Sequence, residues 1–305
     1  MKLPIYRTDK SLTKDSMLFP CGMSRSGTTL LTTVLDSHSQ ISLGYELIPP
    51  KLPAPMILKQ ALEEGLKQSN GDFESCGEVL RKKGNKDIGL FFSRCYRAGI
   101  SQDDIVYILD KIEHEGINKI ETLRERLEIA WRIALQKKLS EETRIYGFKF
   151  NAPSVEEAFQ IFPGGYFIYI IRDPRDVVAS HIQRGFDRTT EEICKAWNNY
   201  IKCFEKFHAK QPSISLIIRY EDLVSEPRGT VEEIFRKLPL EIEEGIFEFY
   251  RSKASVHQAG HPNIENLQKN FFTSSIGRWR SELKRAVTAE IEKHCRGKME
   301  KYSYV

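Results

Sequence analysis

The chain has 305 residues, 40% apolar and 29% charged, with a formal net charge of +4 and an isoelectric point near 8.6. This is ordinary for a globular protein of one large or two small domains, without repeats or low-complexity tracts. The basic excess is too small and dispersed for a nucleic-acid footprint, and no apolar stretch approaches the ~20 residues of a membrane span.

The N-terminal residues, Met1 to Lys14, are polar and lack the apolar centre of a secretory signal. Six cysteines (Cys21, Cys76, Cys95, Cys194, Cys203 and Cys295) are scattered, without a C-x-x-C pair or histidines at zinc-ligand spacing. They read as reduced, buried thiols of a cytoplasmic protein.

Five β-branched or aromatic runs predict strands at Met17–Phe19, Ile41–Leu43, Ile145–Phe150, Tyr166–Ile171 and Ile214–Ile218. Helical patterns lie between them. The fold class is therefore α/β, a central parallel sheet of about five strands with helices on both faces.

Between the first strand and the apolar helix begun by Leu30, Leu31 and Val34 lies Gly22-x-x-x-x-Gly27. The frame fits the nucleotide phosphate-binding loop, but Thr28 stands where that loop carries Lys. A strand–turn–helix of this kind aims backbone N–H groups and a helix N-terminus at one spot, which favours an anion. The missing lysine argues against ATP with Mg²⁺.

A proline-rich connector, Pro49-Pro50-Lys51-Leu52-Pro53-Ala54-Pro55, follows the second strand. From Leu52 to Leu139 no strand is predicted. Helices are expected near 56–68, 73–83, 87–98, 102–114 and 119–138, with Ser101 and Asp104 placed as a capping box. This segment, about 52–140, reads as a helical insertion within a single domain spanning 1–305. It is either an acceptor-side cap or a purely structural helical subdomain.

The fourth strand ends in Arg172, and Asp173-Pro174 supplies an N-cap followed by Pro at the first helical position. Arg172 thus sits at the carboxyl end of a strand, where open α/β sheets bind ligands. Alternatively it pairs with Asp173 or Asp176 at the surface. Ser180 lies two turns along the new helix. Beyond Leu240, helices are expected at 242–252 and 281–299. The polar loop Ser255–Phe272 between them is a candidate flap, and its His257 and His261 are the histidines suited to acceptor binding. His38, His114, His181, His208 and His294 read as structural or surface residues.

The lysine-free loop, together with strand–Arg172-Asp-Pro-x-Asp–helix–Ser180, resembles the sulfotransferases that use 3′-phosphoadenosine 5′-phosphosulfate (PAPS). Tyr220-Glu221-Asp222-Leu223 and Gly277-Arg278-Trp279 resemble two further elements of that family. The four matches, in order, span residues 18 to 280 and leave the insertion uncovered. Within the family the chain looks closest to the bacterial and tyrosylprotein-type branch. The resemblance implies a P-loop-type three-layer sandwich and in-line transfer of a sulfuryl group from PAPS to a hydroxyl acceptor, without a metal. The chain also shows no acidic metal cluster.

By that resemblance, Ser26, Gly27, Thr28 and Thr29 hold the 5′-phosphate, and Arg25 contacts the sulfonate and leaving phosphate. Arg172 and Ser180 hold the 3′-phosphate, joined by Arg278. Glu46, just past the second strand, is the catalytic base, or else a salt-bridging residue near the proline-rich turn. Lys149 stabilises the bridging oxygen, or else is a solvated edge lysine. Ser274 or Ser275 donates to the same oxygen. Tyr220 and Trp279 flank the adenine or pack in the core.

Carbohydrate, lipid, small alcohol or phenol, and peptide tyrosine are all open as acceptors, and a homodimer is compatible with the chain. Two other readings stand beside this one: a P-loop small-molecule kinase, and a non-catalytic nucleotide-binding protein on the same fold.

Overall fold

In the computed structural model the described residues are 16–136, 142–151, 153–185, 187–252 and 264–305. Five strands form one parallel sheet in the order β2-β3-β1-β4-β5. They are β1 (Met17–Cys21), β2 (Ile41–Gly44), β3 (Ile145–Phe148), β4 (Tyr166–Ile171) and β5 (Ser215–Arg219). All five strands predicted from the sequence are present. The third stops two residues short of its expected end, and Phe150 rejoins β1 only through a single bridge to Cys21. Pro20, which has no N–H to give, falls where that β1–β3 ladder is interrupted.

The sheet is buried on both faces, as continuous apolar strands demand. One face carries Leu18, Leu43, Ile168, Ile170 and Ile218. It is covered by α1 (Thr28–Asp36), α10 (Tyr220–Ser225), α11 (Pro227–Phe235) and a 3₁₀ helix (Glu244–Arg251). The other face carries Met17, Phe19, Tyr146, Phe148, Phe167 and Tyr169. There α7 (Val155–Ile161), α8 (Pro174–Gln183), α9 (Thr190–Lys210) and α14 (Arg285–Lys301) pack. Phe19 sits at the centre of this layer, its ring centroid 4.9–5.2 Å from those of Phe148, Phe162 and Phe167.

Between β2 and β3 come α2 (Pro55–Gln68), α3 (Phe73–Lys82), α4 (Lys86–Arg97), α5 (Gln102–His114) and α6 (Leu123–Gln136). The first four keep within one residue of their expected limits and α6 begins at Leu123 rather than at 119, while Ser101 and Asp104 form the expected capping box. Leu52 and Ile120 exchange backbone hydrogen bonds of 2.9 and 3.3 Å, closing the base of the insertion. Its apolar residues, Leu58, Phe92, Ile108 and Ile133 among them, run into the core layer of the sheet.

Two expectations near the C-terminus are corrected. The helix at 242–252 is a 3₁₀ helix, with Glu248 outside helical backbone angles. The helix expected to begin at 281 begins at Arg285, because Leu283 is extended and ends the short α13 (Trp279–Glu282). One more short helix, α12, covers Ile264–Leu267. The first half of the loop predicted at Ser255–Phe272, including His257 and His261, lies outside the described residues, and the second half opens with this helix.

Candidate active site

The helices following β1 and β4, α1 and α8, lie on opposite faces of the sheet although the strands are neighbours. Such a reversal opens a crevice at the carboxyl ends of the strands, where α/β proteins bind ligands. The loop after β1 and the turn after β4 both empty into it. A cleft of about 130 Å³ is lined there by Arg25, Gly27, Thr28, Thr29, Arg172, Ser180, Tyr220, Ser275 and Arg278. This is smaller than the ~300–1,000 Å³ of pockets that enclose a drug-sized ligand.

Gly27 is the N-cap of α1, with φ 98° and no side chain bonded over the first turn. The leading amides of α1 therefore carry their partial positive charge into the cleft. Glycine is required twice over. Its φ suits no L side chain, and a Cβ would stand 2.5 Å from the Tyr220 ring. Arg25 also adopts a left-handed backbone, φ 72°, which turns its side chain toward α8. Its Nε donates to Ser180 Oγ at 2.8 Å. Ser26 is buried beneath the loop rather than lining the cleft.

Arg172 is 6% exposed and held on three sides. It donates to the carbonyl of Arg25 at 3.3 Å and to that of Ser275, and its guanidinium lies 4.4 Å from the Tyr220 ring centroid. Its Nε is buried with no hydrogen-bond partner among the described residues. A buried guanidinium N–H left unpaired is costly and marks a place for an acceptor atom. Burial pulls the Arg25 guanidinium down to about 10, and the charges of Arg184, Arg172 and Arg278 pull it the same way. Arg25, Arg172 and Arg278 thus line one cleft with the Arg184 charge acting on Arg25, and although Arg278 pairs with Glu282 and Arg172 lies 4.0 Å from Asp176, this concentration of guanidiniums suits an oligo-anion.

The segment carrying Ser275 and Arg278 is fixed by Asp176. Its carboxylate, fully buried, accepts from the amides of Gly277 at 2.8 Å and Trp279 at 3.0 Å. Burial raises the Asp176 carboxyl above its ordinary range, against the pull of Arg172 and those two amides. Trp279 does not line the cleft. Its ring lies between the guanidiniums of Arg175 and Arg280, 4.1 and 4.7 Å from their carbons. Ser274 is exposed and is not among the lining residues, unlike Ser275.

The run after β5 divides its work. Tyr220 faces the cleft, and Glu221 accepts from the Asp173 amide at 3.0 Å and from the Tyr304 hydroxyl at 3.1 Å. Asp173 in turn accepts from the Arg175 amide and guanidinium, so the turn after β4 is held from behind.

On the far side of the loop, Lys149 is 4% exposed. Its Nζ stands 3.1 Å from Glu46 Oε1 and 3.5 Å from Thr29 Oγ1. Burial lowers the Lys149 ammonium below its usual range, only partly countered by Glu46. Glu46 itself has φ 51°, a second non-glycine in the left-handed region. Such conformations cost of order 1–3 kcal/mol and persist where surrounding structure imposes them. A carboxylate, a partly desolvated amine and a helix N-terminus therefore meet beside the arginine cleft.

Residues 18–244 match the sulfotransferase family. The chain belongs to that family. A sulfotransferase of Mycobacterium bovis, named for omega-hydroxy-beta-dihydromenaquinone-9, is 27% identical over 125 residues, 36% of this chain and 31% of its own. An uncharacterized protein of Aquifex aeolicus is 24% identical over 276 residues, 86% of this chain but 30% of its own. The match thus spans less than a third of either curated relative. Among solved structures, the sulfotransferase domain of the Synechococcus olefin synthase superposes with a TM-score of 0.60 at 17% identity, covering 91% of this chain and 93% of that one. The sulfotransferase domain of the curacin biosynthetic pathway gives 0.54 at 17% identity, covering 92% and 96%. These similarities show the sulfotransferase fold.

The residues around this cleft that sequence reasoning missed are Leu30, Arg184, Asn266, Leu267 and Phe272, with Arg94 beside Glu46. Arg184 lies one helical turn after Ser180, a spacing that puts it on the same face. Leu30 belongs to the helix that follows the phosphate loop, and Asn266, Leu267 and Phe272 to the loop read as a candidate flap, but no spacing singled out these side chains; Arg94 comes from a helix with no local signature.

Proposed function

We propose that the protein is a sulfotransferase that moves the sulfuryl group of PAPS to a hydroxyl acceptor in one in-line step, without a metal. The observation that carries this reading is the convergence of Arg25, Arg172 and Arg278 on one cleft, with the Arg184 charge acting on Arg25, which is pulled down to about 10. A donor with phosphates at both ends of its sugar supplies the opposing charge. Arg172 and Ser180 serve the 3′-phosphate, with Arg278 closing from the C-terminal segment. The amides of the Gly27–Thr29 turn serve the 5′-phosphosulfate. Tyr220, Leu30, Leu267 and Phe272 offer apolar surface for the base.

In the reaction the acceptor oxygen forms a bond to sulfur as the bond from sulfur to the bridging phosphate oxygen breaks. Adenosine 3′,5′-bisphosphate departs with the electron pair. Glu46 takes the hydroxyl proton, an effect typically worth ~10²–10⁴-fold. Lys149 and Arg25 place positive charge at the leaving oxygen, the role a metal plays in phosphoryl transfer. The acceptor is a hydroxyl compound approaching from the Glu46 side, where the insertion forms the wall.

The test has two arms, both without added metal. Adenosine 3′,5′-bisphosphate at 100 times its Kd should stabilise the fold by ~2.7 kcal/mol in a thermal melt. Labelled sulfate from PAPS should pass to at least one member of a panel holding a saccharide, an aliphatic alcohol, a phenol and a tyrosyl peptide. No shift at saturating ligand sinks the reading. Mg²⁺-dependent turnover of ATP would replace it with a kinase.

A further inference from the structure

Glu46 lies in a stretch, residues 45–54, that has no regular secondary structure of its own. Its left-handed backbone must be imposed from outside. Two arginines of the insertion reach this stretch from different helices. Arg94 of α4 donates through Nη1 to the Ile48 carbonyl at 3.0 Å, and Arg126 of α6 donates through Nε to the Pro49 carbonyl at 2.6 Å. Consecutive carbonyls of the base-bearing loop are thereby fastened to two helices. The Leu52–Ile120 bridge ties the end of the loop to the connector that leads into α6. Arg94 does more than hold backbone. Its Nη2 stands 3.8 Å from Glu46 Oε2, while Lys149 holds Oε1 at 3.1 Å.

We propose that Arg94 is the positioning residue for Glu46, and that α4 and α6 aim the base at the acceptor. The proposal rests on the reading of Glu46 as the base. In the transfer step Lys149 is needed at the leaving oxygen, and its contact with Oε1 must loosen. Arg94 then keeps the carboxylate registered against the backbone that it also grips. A guanidinium suits this double task, because its fork reaches a carboxylate and a carbonyl together, which an ammonium does poorly. Misplacing a reacting group by about 1 Å can cost ~10²-fold in rate. Packing alone would not explain why one guanidinium touches both the Ile48 carbonyl and the Glu46 carboxylate. Arg126 is placed to hold the loop but not the carboxylate.

The test is a double-mutant cycle on the whole chain, using PAPS and the best acceptor from the panel above. Arg94→Met should lower kcat about 10–100-fold, with donor KM and the affinity for adenosine 3′,5′-bisphosphate within about twofold of wild type. Arg94→Lys should recover part of the loss. In a Glu46→Gln background, Arg94→Met should cost less than about twofold more, since its action passes through the carboxylate. If Arg94→Met fails to bind the bisphosphate, Arg94→Gln, which keeps a donor for the Ile48 carbonyl, takes its place. Wild-type kcat in the Arg94 variant, an equal loss in both backgrounds, or a loss confined to donor KM would each overturn the proposal. Full activity of Glu46→Gln alone overturns the base reading itself, a result visible before Arg94 is touched.

Discussion

The Asp176 carboxylate accepts a hydrogen bond from the Gly277 amide at 2.8 Å, across 101 residues of chain. With the matching bond from Trp279, it ties the C-terminal segment to the first turn of α8. This tie, with the bond from Arg172 to the Ser275 carbonyl, brings Ser275 and Arg278 to the cleft. Asp176→Asn keeps the shape but leaves a single accepting oxygen for two amides. The Kd for adenosine 3′,5′-bisphosphate should rise about tenfold or more, equivalent to ~1.4 kcal/mol, by titration calorimetry. An unchanged Kd would show that the segment is held by its other contacts.

Gly27→Ala adds one methyl at φ 98°, with its nearest neighbour on the Tyr220 ring 2.5 Å away. The turn must open or Tyr220 must move, and either spoils the row of amides. Stability to urea should fall by about 1–3 kcal/mol, the usual cost of an imposed backbone conformation. Bisphosphate binding should weaken at least tenfold in the same preparation. Wild-type binding by this variant would mean that the turn is softer than its packing indicates.

Lys149→Met separates activity from stability. Burial holds the lysine's ammonium below its ordinary value of 10.5, so the folded protein sheds this proton at lower pH than the unfolded chain does. Stability therefore rises with pH between the lowered folded value and 10.5, and the charged form is a cost at neutral pH. Replacement by methionine should leave the melting temperature unchanged or raise it near pH 7, with the gain shrinking as pH climbs toward 10. Turnover should fall by ~10²-fold or more, because Arg25 alone then faces the leaving oxygen. A lower melting temperature at pH 7 would show that the Glu46 pairing outweighs the desolvation.

The sheet was legible because its strands are short apolar runs separated by clear helical periodicity. Burial on both faces of Met17–Cys21 and Tyr166–Ile171 is written directly in their composition. The residues of the cleft were legible for a different reason: Gly27 and Arg172 sit at a helix start and a strand end, where local chain geometry dictates direction, while Arg25 and Ser180 were marked by the family resemblance. Arg94 and Arg126 were not, since nothing in a helix fifty or eighty residues downstream tells which loop its side chains will meet. Trp279 shows the opposite limit. Its motif was evident, but its neighbours Arg175 and Arg280 stack on it, and only tertiary packing decides that. The end at Arg251 hid a 3₁₀ helix because apolar spacing alone does not separate it from an α-helix.

The grip of α4 and α6 on the carbonyls of Ile48 and Pro49 bears on how such a protein could be re-engineered. A designer seeking a new acceptor would naturally graft the insertion from a relative as one cassette. That transplant would remove both arginines along with the wall they belong to, and the loop after β2 would lose its anchors. Acceptor choice and rate would then change together. A successful chimera must either carry its own loop 45–54 or retain guanidiniums at 94 and 126.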